Sequence, residues 1–255
     1  MATTLTPARF APKEHVLRSA DLFAGVPAPL VRSLAQTSER LVLGRGDKLW
    51  LPGSAATHFH FVAFGTMKLQ RVRPETPLIL GFFLPGESIG DALVVARDTM
   101  LACAVAQSPV VEILRLPCEP VLAAAKREPA LADSIHAAVA RHVRWLHTKI
   151  EVVTMGTVAE RLATFVLRHV DRQGAHERSN TTELPFAPTR VELASMIEAR
   201  PETVTRALGK LARDRVFTVG KSSIVVHDLQ ALRRAAPHGP VTVAAGADSH
   251  EVAVA

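Results

Sequence analysis

Cysteine is scarce in this chain. Among 255 residues only Cys103 and Cys118 carry a thiol, and no Cys-x-x-Cys pair occurs. Local cysteine ligation of zinc or of an iron–sulfur cluster is therefore unsupported, and so is a disulfide framework. No apolar run is long enough to cross a bilayer, which argues against membrane insertion. The N-terminus shows no basic start followed by an apolar stretch, so no secretory signal is expected and the cytoplasm is the expected location. Charge of neither sign dominates: 30 Lys and Arg against 24 Asp and Glu leave a net charge of +6 at pH 7. That balance suits a polyanionic partner but does not establish one. What the chain does have is a hydrophobic fraction of 48% with 21% charged residues, a composition that builds a real core. The length suits two modest domains.

The pattern changes along the chain. Residues 1–20 contain prolines and mixed charge and read as an extension with little order. From 21 to 125, short strand signals alternate with Gly and Pro: Leu41-Val-Leu43 before Gly44 and Gly46, the alternating Phe59 to Phe64 before Gly65, Met67 to Val72, Leu78 to Leu84 before Pro85-Gly86, and Val110 to Leu116 before Pro117. Even spacing with turn residues between predicts an antiparallel barrel or roll. Over 126–155 the period becomes helical: Ile135, Val139, Val143, Leu146, Ile150 and Val153 recur at steps of three and four. Periodicity alone fits packing on the strands and pairing with a second helix about equally. A second helical run, Val158 to Val170, turns Leu162, Phe165, Val166 and His169 to one side, and a polar loop follows at 172–182. Residues 236–255, rich in Ala, Gly and Val without a period, read as a loose tail.

The most informative stretch is Thr189 to Leu208. Thr189 and Glu192 have the spacing of a capping box, which starts a helix near Arg190. Leu193 and Ile197 point inward and Ala194 is small enough for a close helix approach. Pro201 suits the first turn of a second helix, where its missing N–H has no partner to lose. Arg200 is a poor cap and is better placed to reach a phosphate. Val204, Leu208 and Leu211 form a buried face, leaving Glu202, Thr205, Arg206 and Arg213 on the other. Val216 to Val219 and Ile224 to Val226, joined by Gly220-Lys-Ser-Ser223, predict a hairpin. Two helices and a hairpin in this order form a winged helix-turn-helix over 156–235, whose second helix lies in the DNA major groove.

Each side chain then has a chemical role. Arg206 can donate two hydrogen bonds to guanine, Glu202 can accept from cytosine or hold Arg206, and the Thr205 methyl can meet thymine. Thr189, Arg190, Arg200, Thr203, Lys210 and Lys221 are assigned to phosphates, which position without specifying. The competing reading makes Glu202 and Arg206 a surface ion pair four residues apart, worth roughly 0.2–0.5 kcal/mol. Charge leans weakly toward DNA: residues 156–235 hold 13 Lys and Arg against 9 Asp and Glu. Because such motifs work in pairs on two-fold sites, the stripe at 126–155 is read as a dimerisation helix.

On these motifs the chain resembles the Crp/Fnr family of transcription regulators. The resemblance covers Leu22 to about Leu232 and is carried by Phe59 to Lys68, Leu84-Pro-Gly-Glu-Ser-Ile-Gly-Asp91, the long helix and, most specifically, Thr189 to Leu208. It implies an α+β fold: an N-terminal antiparallel β-roll like the cyclic-nucleotide-binding domain, a long dimerisation helix and a C-terminal winged helix-turn-helix. It implies a homodimer on an inverted-repeat operator, and RNA polymerase as a partner. Thr205 falls where the Fnr-like branch often has Ser, and Pro201 where the cyclic-AMP receptor branch has Arg, which points to the Fnr-like branch and TTGAT-like half-sites.

Departures from the family pattern bear on the signal. The effector pocket is assigned to Gly86, Glu87, Gly90, Asp91, Met100 and Leu101. Nucleotide-binding members hold the cyclic phosphate with Arg-Ser or Arg-Thr where this chain has Met100-Leu101. Without that guanidinium the charge-assisted bonds are lost, so cyclic AMP is not expected to bind. The N-terminal cysteines of the oxygen-sensing branch are absent too. No cofactor is predicted. Haem stands as an alternative through His15, His58 or His60. Cys103 reads as inert core, while Cys118, beside Pro117 and near Arg115 and Lys126, is a candidate redox-responsive thiol. Two readings from other classes remain: a cupin-like metalloenzyme, for which His58-x-His60 is the single hint, and a ligand-binding or interaction module that docks protein instead of DNA.

Overall fold

A computed structural model describes residues 11–73, 77–154, 156–172 and 180–236. The expected extension in its first ten residues, the polar loop at 173–179 and the tail at 237–255 lie outside the described residues. The chain divides into two compact units, residues 1–147 with 188–201, and residues 148–187 with 202–255.

The first unit begins with α1 (Lys13–Ser19), a 3-10 turn (Asp21–Phe23) and α2 (Ala28–Thr37). Helix α1 corrects the expectation of an unordered extension. Its short apolar pair, Val16 and Leu17, is buried in the core and gives the segment the burial that its composition does not advertise. Eight strands follow: β1 (Glu39–Gly44), β2 (Lys48–Trp50), β3 (His58–Phe64), β4 (Met67–Arg71), β5 (Leu78–Phe83), β6 (Ser88–Ile89), β7 (Cys103–Ala106) and β8 (Val110–Pro117). They form two four-stranded sheets, ordered β1-β8-β3-β6 and β2-β7-β4-β5, with every pair antiparallel. Helix α3 (Asp91–Ala96) sits between β6 and β7, and α4 (Cys118–Ala125) follows β8.

Strand β3 departs from simple alternation. Phe59, His60, Phe61 and Val62 are all buried, because a central strand covered on both faces has no solvent side to keep polar. Phe61 packs on Phe23 of the 3-10 turn, with ring centroids 5.5 Å apart. Both thiols are buried, Cys118 included. Burial pushes the Cys103 thiol above its ordinary value, which suits a small core residue and opposes reactivity.

Helix α5 (Pro129–Thr154) starts with proline at a first-turn position, three residues later than expected. It passes from the first unit into the second after His147. Leu131, Ile135 and Ala138 join the core of the roll. Farther along, Trp145 packs on β5 at Gly81, where an added Cβ would lie 3.3 Å from the indole. The apolar stripe therefore divides: Ile135 is buried and Val139 partly so, whereas Val143, Leu146 and Ile150 are 47%, 43% and 61% exposed. Val153 is half-buried.

The second unit contains α6 (Val158–Arg172), β9 (Thr182–Leu184), most of α8 (Pro201–Arg213), β10 (Phe217–Val219), β11 (Ile224–Val226) and α9 (Leu229–Ala235). The strands form an antiparallel sheet ordered β10-β11-β9. Leu162, Val166, Val170, Leu184, Val204, Leu211, Phe217, Ile224 and Leu232 are among its buried apolar residues. His169 lies in the same core, its ring 4.4 Å from that of Phe165 and 5.0 Å from that of Phe186. Asp228 caps α9 by accepting from the Ala231 amide at 2.9 Å.

Candidate nucleic-acid interface

The motif starts where its capping residues place it. Helix α7 (Arg190–Met196) has Thr189 at its N-cap. The Glu192 amide donates to Thr189 Oγ1 at 3.2 Å, and the Thr189 amide donates to Glu192 Oε2 at 2.8 Å. These two bonds satisfy amides that a helix start leaves without partners. The turn that follows is tight. The Ile197 amide donates to the Leu193 carbonyl and the Ala199 amide to the Ala194 carbonyl, while Glu198 takes a left-handed φ of 53°. Helix α8 then begins at Pro201.

Helix α8 separates its faces as its 3.6-residue period requires. Val204 and Leu211 are buried and Leu208 is half-buried, whereas Glu202, Thr205, Arg206, Lys210 and Arg213 are exposed. No ion pair joins Glu202 to Arg206 among the described residues. The geometry thus gives no support to the reading in which these two only stabilise their own helix. Thr189, Arg190 and Arg200 are exposed and Thr203 is half-buried. Strands β10 and β11 form the expected hairpin, pairing Phe217 with Val226 and Val219 with Ile224. The Gly220 amide donates to the Ser223 carbonyl across its tip, leaving Lys221 exposed.

Glu192 has a second role that its sequence spacing did not reveal. Its Oε1 lies 2.6 Å from Lys68 Nζ on β4, and its Oε2 also accepts from Gln107 Nε2 at 3.2 Å. Burial works to raise its carboxyl, but the Lys68 ammonium and the Thr189 donors outweigh that and hold it below its ordinary value. Nothing local signals this contact, because Lys68 is 124 residues away in sequence.

The residues assigned to an effector pocket differ in their surroundings. Gly86 and Gly90 both have left-handed backbones, as their turns demand. Glu87 folds back to accept from the Leu84 amide at 2.8 Å. Asp91 accepts from the Ser88 hydroxyl. Met100 is 2% exposed and packs against Gly90, whereas Leu101 is 62% exposed. Of the histidines, His15 is exposed and His58 Nδ1 is bonded to Thr57 Oγ1 at 2.9 Å. His60 is buried with its ring 4.7 Å from that of Trp50, and burial, with His58 and Arg115 adding to it, pushes its pKa down to about 3. Among the described residues no group of three His, Cys, Asp or Glu is arranged to hold a metal ion. No described helix is long and apolar enough to cross a membrane.

Comparison with known proteins supplies the context for this geometry. Residues 160–235 match the Crp-like helix-turn-helix domain, and residues 40–128 match the cyclic nucleotide-binding domain. The transcriptional regulatory protein btr of Bordetella pertussis is 27% identical over 213 residues, covering 82% of this chain and 86% of that protein. The cyclic AMP receptor protein of Thermus thermophilus is 26% identical over 224 residues, covering 86% of this chain and 98% of that protein. Among solved structures, FixK2 from Bradyrhizobium japonicum superposes with a TM-score of 0.67 at 20% identity, covering 78% of this chain and 97% of that one. At that identity the likeness establishes the fold.

Proposed function

Because this chain belongs to the Crp/Fnr family of DNA-binding transcription regulators, we propose that it binds an inverted-repeat operator as a homodimer and adjusts that binding to a signal received by its β-roll. In this reading residues 21–125 are the sensor, 126–155 the dimer helix and 156–235 the DNA-binding domain. Glu202, Thr205 and Arg206 read base edges. Thr189, Arg190, Arg200, Thr203, Lys210 and Lys221 hold phosphates. The observation that carries the reading is the state of α8: its acidic and guanidinium tips are exposed and make no ion pair among the described residues, opposite a buried Val204 and Leu211.

Pairing of two copies is supported by the surface of α5. Val143, Leu146 and Ile150 leave an exposed apolar seam at the spacing that two helices use to pack on one another. A dimer then sets two recognition helices about 34–36 Å apart, one turn of DNA. Thr205 and Pro201 favour the Fnr-like branch and TTGAT-like half-sites. RNA polymerase as a partner and the cytoplasm as the location complete the proposal.

Cyclic AMP is not the effector in this reading. Met100 stands where nucleotide-binding relatives have arginine, and its side chain is packed against Gly90. The buried carboxylate of Asp91 follows directly in sequence and would oppose a phosphate. Haem is left out as well, since His60 is buried against Trp50 and His58 is bonded to Thr57.

Selection of bound duplexes from random DNA, followed by fluorescence anisotropy on the selected site, tests the proposal. A palindromic consensus that Arg206→Ala binds more weakly and reads less strictly supports it. Identical selection and affinity with Arg206→Ala would remove its basis.

A further inference from the structure

The roll grips the first helix of the DNA-reading motif through side chains that no DNA-binding role requires. Lys68 lies on β4, paired with Phe82 of β5 and Val105 of β7, so its backbone is fixed at the centre of a sheet. Its ammonium meets Glu192 at 2.6 Å, with the two side chains only 15% and 13% exposed. Gln107, just beyond β7 and held by its amide to the Thr66 carbonyl at 2.9 Å, adds a bond to the same carboxylate. One turn along α7, the Ser195 hydroxyl donates to the Pro77 carbonyl at 2.7 Å and accepts from the Ile79 amide at 3.0 Å. Helix α7 is therefore held at both ends: an ion pair at its first turn and, at its last, a hydroxyl bonded to backbone groups of β5 and of Pro77 just before it.

We propose that Lys68 is a positioning residue for DNA recognition, acting with Gln107 and Ser195 to fix α7 on the β4–β5 ribbon. The inference rests on the DNA-reading role given above to α8. Helix α7 leads into Pro201 through residues 197–200, a turn closed by two backbone hydrogen bonds. So short a link passes on the placement of α7 rather than absorbing it. A shift of the β4–β5 ribbon would move Lys68 and the Ser195 acceptor together, which gives the roll a direct mechanical hold on the motif. A nearly dry ion pair suits this task, because it is directional and weakly screened by salt.

The test uses the full-length protein and the operator selected by the wild type. Lys68→Met keeps the aliphatic stem and removes the ammonium. Anisotropy is expected to show at least tenfold weaker operator binding, with unchanged binding to a scrambled duplex. Hydrogen exchange is expected to quicken in the amides of α7, and Lys68→Arg is expected to restore much of the affinity. Ser195→Ala, which leaves the ion pair intact, is expected to weaken operator binding about threefold, and it serves alone if Lys68→Met fails to fold. Faster exchange in α7 with unchanged operator affinity would overturn the positioning role, as would tighter binding. Unchanged exchange would show that the clamp is not made in solution. Arg206→Ala is the control: if it too leaves operator binding intact, the DNA-reading assignment has failed, whereas loss with Arg206→Ala alone isolates the failure to the clamp.

Discussion

Met100 lies against Gly90, its sulfur and terminal methyl each 3.3 Å from the point where a Gly90 side chain would begin. The Trp50 ring is 3.7 Å from the same point, held by its indole N–H donating to the Ala102 carbonyl at 2.9 Å. If this turn is the effector site, as proposed above, a cyclic phosphate would have to displace these apolar atoms without a guanidinium in return. Titration calorimetry with cyclic AMP is therefore expected to give no saturable heat at micromolar concentration. Met100→Ala should leave a cavity and destabilise the protein by about 2–5 kcal/mol in urea unfolding. Saturable micromolar binding by the wild-type protein would contradict this account.

Asp91 makes stability depend on pH in an unusual direction. One carboxylate oxygen takes the Ser88 hydroxyl, while the other is buried with no hydrogen-bond partner among the described residues. Burial pushes the carboxyl up to about 6 from an ordinary 3.8, against the Ser88 bond and the Arg141 charge, which pull it down. The folded state thus holds this proton more tightly than the unfolded chain does. Its contribution favours folding fully below about pH 4, fades as pH rises, and is gone above about 6, where the charged form weighs on the fold. Asp91→Asn should raise stability at pH 8 by on the order of 1–2 kcal/mol and flatten the profile between pH 4 and 7. Thermal melts across that range are the measurement; lower stability at pH 8 with an unaltered slope would reject the assignment.

The exposed seam on α5 predicts a concentration-dependent assembly. Leu146→Glu places a charge at a position 43% exposed in the single chain, so the chain itself should keep its fold. Sedimentation velocity should then find monomer where the wild type sediments as dimer, and operator affinity should collapse with it. A dimer that survives both Leu146→Glu and Ile150→Glu would place the contact elsewhere.

Two basic residues of the DNA-binding region should fail differently. Arg206→Ala is expected to cost about 1–3 kcal/mol on the selected operator and to relax preference at one base pair. Lys221→Ala, at the tip of the hairpin, should weaken all duplexes alike and lower the salt slope by about 1. Binding measured between 50 and 200 mM salt on matched and mutated operators separates the two, and equal losses on every duplex for both variants would erase the distinction between reading and holding.

Much of the fold was legible because its signals are local. The capping box at Thr189 and Glu192, Pro201 at the head of α8 and the split of Val204 and Leu211 from Glu202 and Arg206 need only neighbours in sequence. The strands with six or more residues also announced themselves. Strands β2, β6 and β9 did not, since each is short and pairs with a partner distant in sequence, whereas the equally short β10 and β11 are marked by the turn residues that join them. Helix α1 hid behind prolines and charge. The alternation read at Phe59 to Phe64 misjudged His60 and Val62 because the second layer over β3 is a tertiary fact. The candidate site was legible where one helix carries it and silent where Lys68 enters, since an ion pair across 124 residues leaves no mark on either segment.

The contact of Trp145 with Gly81 gives the protein an optical gauge of its own. The chain has two tryptophans and no tyrosine, so its ultraviolet emission comes from Trp50 and Trp145. With Trp50 replaced by Phe, the remaining indole reports whether α5 stays seated on β5, shifting to longer wavelength as it lifts away. Candidate signals can thus be screened by colour alone, with no label and no DNA in the cuvette.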